Sequence, residues 1–328
     1  MSQLPESGHE TPAPGSSESD VIVGCIAKYN FNDIAAWVNS LASSGFRGRR
    51  VIIHLDVDSN TIAELERRGF ETYDAAPLHS VVNPALKRPA HGAEISVNRF
   101  YYIWYFLSQQ RSNMPPPRYL CTTDVRDVIF QRDPSQWIEQ HLGSKRLLVG
   151  SESLRFQDEP WGAKTLQDSY GPDVWKALHS KLIYCAGVIA GEFQTMIDLS
   201  LQIYLMSPGY RVHFCDQMAL NVLLSSGAYQ DVTCFASLGD NWACHAGALS
   251  NRELIKRAEA DLSYPTPRFD GKFVRTSSGE IYTIVHQYDR ADWGVQLERQ
   301  YGAAPSDSHG AGEKPHWIGH ILKGLKNP

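Results

Sequence analysis

From residue 21 onward, stretches of two different hydrophobic periods follow one another along this chain. Val21–Ile26 is a continuous apolar run of the kind a buried strand carries. Ala27-Lys28-Tyr29-Asn30 breaks it as a loop. Residues 31–44 then take up a helical period, with Ile34, Trp37, Val38 and Leu41 on one face and Gly45 as the stop. Val51–Leu55 reads as a second strand, Thr61–Arg68 as a helix closed by Gly69, and Phe70–Tyr73 as a third strand. Strand, helix, strand, helix, strand predicts a parallel sheet.

The pattern is less regular further on. Residues 75–92 read as a loop containing Pro and His. A long helix over 93–111 presents Ile95, Phe100, Ile103, Trp104 and Leu107 on one side, and Pro115-Pro116-Pro117 breaks the chain after it. Tyr119–Cys121, Arg146–Gly150, Ile183–Ala190 and Ile281–His286 read as strands, and 192–206 and Asp216–Leu224 as helices. No internal repeat is visible. The expectation is an α/β fold with a mostly parallel sheet flanked by helices and a mixed C-terminal part.

Composition narrows the picture. The chain has 328 residues, enough for a sizeable core, with 42% hydrophobic and 20% charged positions, as in soluble globular proteins. A net charge of −5 argues against electrostatic binding of nucleic acid. Six scattered cysteines without a CxxC pair read as free thiols of a reducing compartment. There is no basic start with an apolar signal core, and no window approaches the roughly 18 apolar residues of a spanning helix. A cytoplasmic protein is expected, with membrane contact by surface attachment at most. Residues 1–19, rich in Ser, Glu, Pro and Gly, read as disordered, and 20–301 as the folded domain. In the remaining segment, 302–328, a flexible stretch precedes a short helix. Trp317, Ile318, Ile321 and Leu325 would lie on one side of that helix, for docking or peripheral membrane contact.

The run Thr123-Asp-Val-Arg-Asp-Val-Ile-Phe-Gln-Arg-Asp-Pro134 carries the clearest chemistry. Asp124 and Asp127 follow an apolar strand, where open α/β sheets bind ligands. Paired carboxylates suit a hard divalent cation that also grips phosphate oxygens, and they equally suit a local ion pair with Arg126. Asp133 and Pro134 form a helix-start signal. Further clusters are Asn98-Arg99 in the long helix and the small residues of Tyr184-Cys-Ala-Gly187. Asp216-Gln217 lies at a helix start, where Asp216 could be only an N-cap, and His286 leaves a strand. Each has a bland alternative, from an exposed helix cation to tight packing.

In this order, the clusters resemble nucleotide-sugar-dependent glycosyltransferases of the GT-A fold, a Rossmann-like domain. They are nearest the retaining, glycogenin-like group and a related group of uncharacterised transferases. The matching stretches are Tyr29–Asp33, Thr123–Pro134, Cys185–Gly187, Asp216-Gln217 and Val285–Arg290, within roughly residues 21–300. The resemblance implies transfer of a sugar from a nucleoside diphosphate sugar to a glycan, lipid-linked or small-molecule acceptor. It further implies that Ala27, Lys28 and Tyr29 cradle the nucleoside, and that Asn98, Arg99, Thr123, Asp124, Ala186 and Gly187 line the sugar nucleotide. Asp124, Asp127 and His286 would hold Mn²⁺ or Mg²⁺, and Asp216 and Gln217 would act at the sugar.

The chain departs from the family pattern in three places. Its acids are separated by two residues instead of one. Cys185 stands where the glycogenin-like group has Asn. His309, in His309-Gly-Ala-Gly-Glu-Lys-Pro315, is a rival for His286. Two other readings stay open, a sugar-nucleotide binding protein without turnover and a nucleotidyltransferase. The latter would usually carry a Gly-rich basic loop after the first strand, where only Lys28 stands.

Overall fold

A computed structural model describes residues 19–82, 92–110, 117–207, 212, 214–249 and 266–302. The strands are β1 Val21–Ala27, β2 Arg49–Leu55, β3 Glu71–Asp74, β4 Tyr119–Thr123, β5 Val128–Phe130, β6 Leu147–Arg155, β7 Leu182–Glu192, β8 Thr233–Ala236, β9 Ala243–His245, β10 Arg268–Phe269, β11 Val274–Arg275 and β12 Ile284–His286. A seven-stranded sheet has the order β3-β2-β1-β4-β7-β6-β8. Only β7 runs against its neighbours, and the other pairings are parallel. This is the α/β architecture with a mostly parallel sheet that the alternating periods predict.

A second sheet, in the order β5-β12-β9, pairs β12 antiparallel to β5 and parallel to β9. It draws a late stretch of the chain against the segment that follows β4. Gln131 fastens the two: its side-chain amide donates to the carbonyls of Val274 and Tyr282 at 3.0 and 2.9 Å, and its oxygen accepts from Val274 N at 2.7 Å.

Helix α1 (Phe31–Ser43) starts at Asn30, whose side chain accepts from Asn32 N, and Asp33 returns the bond in a capping box. Its buried face carries Trp37, which packs against Phe70 and Phe130 with ring centroids 5.7 Å away in each case. The Trp37 indole donates to the Thr123 hydroxyl at 2.9 Å. Trp37 therefore fixes the end of β4 from beneath, and truncation to Ala would cost about 3–5 kcal/mol. Helix α2 (Ser59–Arg67) is capped by Asp58.

Residues 76–82, expected as loop, form helix α3 (Ala76–Val82), started by a bond from Ala76 N to the Asp74 carboxylate. The long helix is α4 (Gly92–Gln110), and α5 (Pro134–His141) begins at Asp133, whose carboxylate accepts from Ser135 N at 2.9 Å. Helix α6 (Pro160–Leu178) had no clear period in the sequence. It is two pieces merged across Gly171 (φ 82°) and Pro172, and this break scrambles the spacing. Helices α7 (Phe193–Met206) and α8 (Cys215–Leu224) fall where expected.

Three-residue strands such as β5 and β9 show too few positions to reveal a period, and the sequence did not mark them. All six cysteines are free thiols. Among the described residues no helix is long and apolar enough to cross a membrane. Residues 1–18 and 303–328, including His309 and the amphipathic segment, lie outside the described residues.

Candidate functional site

The carboxyl ends of β1 and β4 lie side by side, with Gly24 opposite Thr123 in the register. β7 runs antiparallel to β4, so Cys185-Ala186-Gly187 passes just beyond the end of β4. Asp124 N donates to Gly187 O at 2.8 Å and continues the ladder by one residue. This extension holds the first acid rigidly at the sheet edge.

The second acid is fixed from the other sheet. β12 pairs with β5 so that His286 lies opposite Val128, and Gln287 N donates to Asp127 O at 2.7 Å. His286 Nε2 then stands 3.3 Å from Asp124 Oδ2 and 3.8 Å from Asp127 Oδ1. It is fully enclosed and has no hydrogen-bond partner among the described residues. Burial pushes the His286 pKa down, against the opposing pull of the Asp127 charge, and this favours a neutral imidazole.

Cations of Mg²⁺ size bind oxygen and nitrogen at about 2.0–2.2 Å in octahedral geometry, which puts neighbouring ligand atoms about 3 Å apart. Two carboxylate oxygens and an unpartnered imidazole nitrogen, all within 4.8 Å of one another, fit such an ion. Gly187 leaves the room: a Cβ there would lie 2.3 Å from His286 Cε1 and 2.9 Å from Asp124 Oδ2. The local ion pair weighed as the bland alternative is also present. Arg126 lies 3.7 Å from Asp127 and 3.2 Å from Asp289.

Arg99, from α4, is the central cation. Its guanidinium pairs with Asp124 Oδ1, donates to Asp216 Oδ2 at 3.0 Å and reaches the Ala186 carbonyl at 3.2 Å. Arg99 is thus no exposed helix cation; its side chain is 15% exposed and its Nε is unpartnered. Neighbouring Asn98 is buried with its amide nitrogen unpartnered.

Asp216 is not an N-cap. Phe214, at φ 61°, takes that position, and Asp216 lies buried in the first turn of α8 facing Arg99. Burial raises its pKa, and Arg99 counters. Gln217 accepts from Ala186 N at 3.4 Å and donates to Glu152 Oε1 at 3.1 Å.

The structure thus gathers Arg99, Asp124, Asp127, Ala186, Gly187, Asp216, Gln217 and His286 into one cluster. Ala27 ends β1, Lys28 and Tyr29 follow it, and Tyr29 borders the cluster. Tyr29 touches Arg126 and Asp127 electrostatically, whereas Lys28 is exposed and 3.9 Å from Asp56. Thr123 differs from its expected setting, because its hydroxyl is buried and taken by Trp37.

Two residues of the cluster had gone unnoticed in the sequence. Glu152 lies where β6 slips register against β7 on either side of Ser151, next to Ser153 at φ 63°. Burial raises its carboxyl pKa. Bulges and left-handed residues often re-aim a side chain at functional sites, but a strand bulge has no sequence signature of its own. The other is His245, on β9, fully buried beside His286. Cys185 lies there too, and burial together with Glu152 pushes its thiol pKa up, so it stays protonated.

No family model matches this chain, and no curated protein is similar to it in sequence. Among solved structures, the apo structure of WbbM, a bifunctional glycosyltransferase, superposes with a TM-score of 0.54 at 12% identity. The match covers 95% of this chain and 53% of that one. The chain has the fold of a glycosyltransferase. It spans about half the length of the enzyme it matches.

Proposed function

We propose that residues 20–301 form a catalytic domain that transfers a sugar from a nucleoside diphosphate sugar to a hydroxyl acceptor. One observation carries this reading. Among the described residues, an unpartnered buried imidazole nitrogen faces two carboxylates at the ligand-binding edge of a glycosyltransferase-type sheet. Asp124, Asp127 and His286 would hold Mn²⁺ or Mg²⁺, and the cation would act as a Lewis acid toward the departing diphosphate.

The chain's own residues supply the rest. Arg99 pairs with Asp124 and Asp216, and its fixed positive charge offsets part of theirs where the leaving group turns negative. Such charge needs no reorganisation during the reaction. Asp216 and Gln217 border the sugar, and Gln217 ties that wall to Glu152. The nucleoside lies along Ala27–Tyr29, and Asn98 offers its free amide nitrogen to the donor. Retention at the anomeric carbon follows from the family resemblance. The acceptor would be a glycan, a lipid-linked sugar or a small molecule.

The test is donor turnover. A panel of nucleotide sugars is first screened by thermal shift with and without Mn²⁺, since a ligand that binds the native state raises the melting temperature. The best donor is then followed for transfer and for slow hydrolysis. Mn²⁺-dependent release of nucleoside diphosphate, abolished by EDTA, is the expected result. Binding without any release would leave a sugar-nucleotide binding protein, and full activity in excess EDTA would remove the metal from the mechanism.

A further inference from the structure

His245 and His286 are register partners on adjacent strands, both about 1% exposed, with rings perpendicular and centroids 5.3 Å apart. Their Nδ1 atoms are 3.0 Å from each other, a hydrogen bond that needs one proton between them. Both Nε2 atoms lack a partner. A neutral imidazole carries a single N–H. If His286 keeps its proton on Nδ1, its Nε2 lone pair is bare and faces Asp124 and Asp127, ready for a cation. If it keeps the proton on Nε2, that lone pair is gone. The Nδ1 contact therefore decides whether His286 is a metal ligand. The other group near His286 Nδ1 is the Cys185 sulfur at 3.5 Å; its S–H is shared with the Glu152 carboxylate, which leaves the sulfur a weak acceptor toward His286.

We propose that His245 is a positioning residue for the metal site: its Nδ1 accepts the His286 Nδ1 proton and thereby holds the His286 Nε2 lone pair toward Asp124 and Asp127. This rests on the reading of those three residues as metal ligands. Metal-bound histidines usually anchor their second nitrogen on a carboxylate, a carbonyl or water. Here a second histidine does so, in a space made for it. A Cβ on Gly150 would lie 2.6 Å from His245 Nε2. His245 consequently carries its own proton on Nε2, against the bare α-carbon of Gly150.

The experiment uses the full chain with ¹⁵N-labelled histidine. In the Mg²⁺-loaded protein, long-range ¹H–¹⁵N spectra should show His286 protonated on Nδ1 and His245 on Nε2, with His245→Asn and His286→Gln spectra giving the assignments. His286 protonated on Nε2 in that state overturns the proposal in the wild-type protein, whatever the variants do. Mn²⁺ affinity is measured in parallel by EPR. His245→Phe should weaken it about 10- to 100-fold, and His245→Asn, which returns an acceptor oxygen near the position of Nδ1, should restore most of it. Wild-type affinity in His245→Phe overturns the positioning role alone. Absence of Mn²⁺ binding in the wild type removes the metal reading and this proposal with it. Two Zn²⁺ ions per chain, with both Nδ1 signals displaced, would instead make Cys185, His245 and His286 a second metal site, and that too overturns the proposal.

Discussion

The two halves of the run from Thr123 to Pro134 look alike in sequence, each with an Arg, apolar residues and one or two Asp, yet their polar groups meet different partners. In the second half the polar groups are spent on the protein itself. Gln131 makes three bonds to backbone across to the late part of the chain, and Asp133 caps α5. In the first half, Asp124 and Asp127 converge on a nitrogen that nothing among the described residues satisfies. Buried polar groups are normally paired within the fold. A cluster that leaves one open among the described residues, beside a half that leaves none, marks the proposed ligand side of the run off from its scaffold side.

Substitutions can break this contrast at either end. The largest effect expected is Asp127→Ala, with donor turnover falling on the order of 10²-fold or more and the melting temperature almost unchanged. A steady-state assay beside calorimetry checks it, and a large loss of stability would make Asp127 scaffold after all. Gln131→Ala should do the opposite. It strands buried backbone groups of Val274 and Tyr282 and should cost about 2–4 kcal/mol in urea unfolding, with activity per folded molecule largely kept. Asp133→Ala removes one cap and should cost about 1 kcal/mol, with no change in Mn²⁺ affinity.

The smallest effect concerns Glu152, a carboxyl outside the run. Its folded pKa is raised by burial, so the folded protein holds its proton more tightly than the unfolded chain does. Stability from this group is present at low pH and is lost as pH climbs from the ordinary glutamate range through the raised folded value. Glu152→Gln should gain stability relative to wild type across that window, as read from unfolding midpoints at a series of pH values. A difference independent of pH would show that the carboxyl is not the titrating partner.

The early strands and the acids were legible because each rests on local pattern: an unbroken apolar run, a helical face ended by Gly, two acids after a strand. The acid spacing, two residues instead of one, looked like a departure. The structure meets it with β5, which starts at Val128 and sets Asp127 beside Gln287. Arg99 and Asp216 each read locally as an exposed cation and a helix cap. Their mutual pairing spans α4 and α8, and no local window contains it. His245 and Glu152 were invisible for the same reason. One matters through its neighbour on another strand, the other through a slip in pairing.

The closing of the small sheet has a consequence for how the protein is made. β1 to β4 can pair as they leave the ribosome, because each partner is already present or follows soon. β5 emerges early too, yet its neighbour β12 follows far downstream, behind β9. Until then Asp124 and Asp127 have their arginine neighbours but not their imidazole. The candidate site is thus assembled only after β12 has been made, well behind the strand that leads into its two acids.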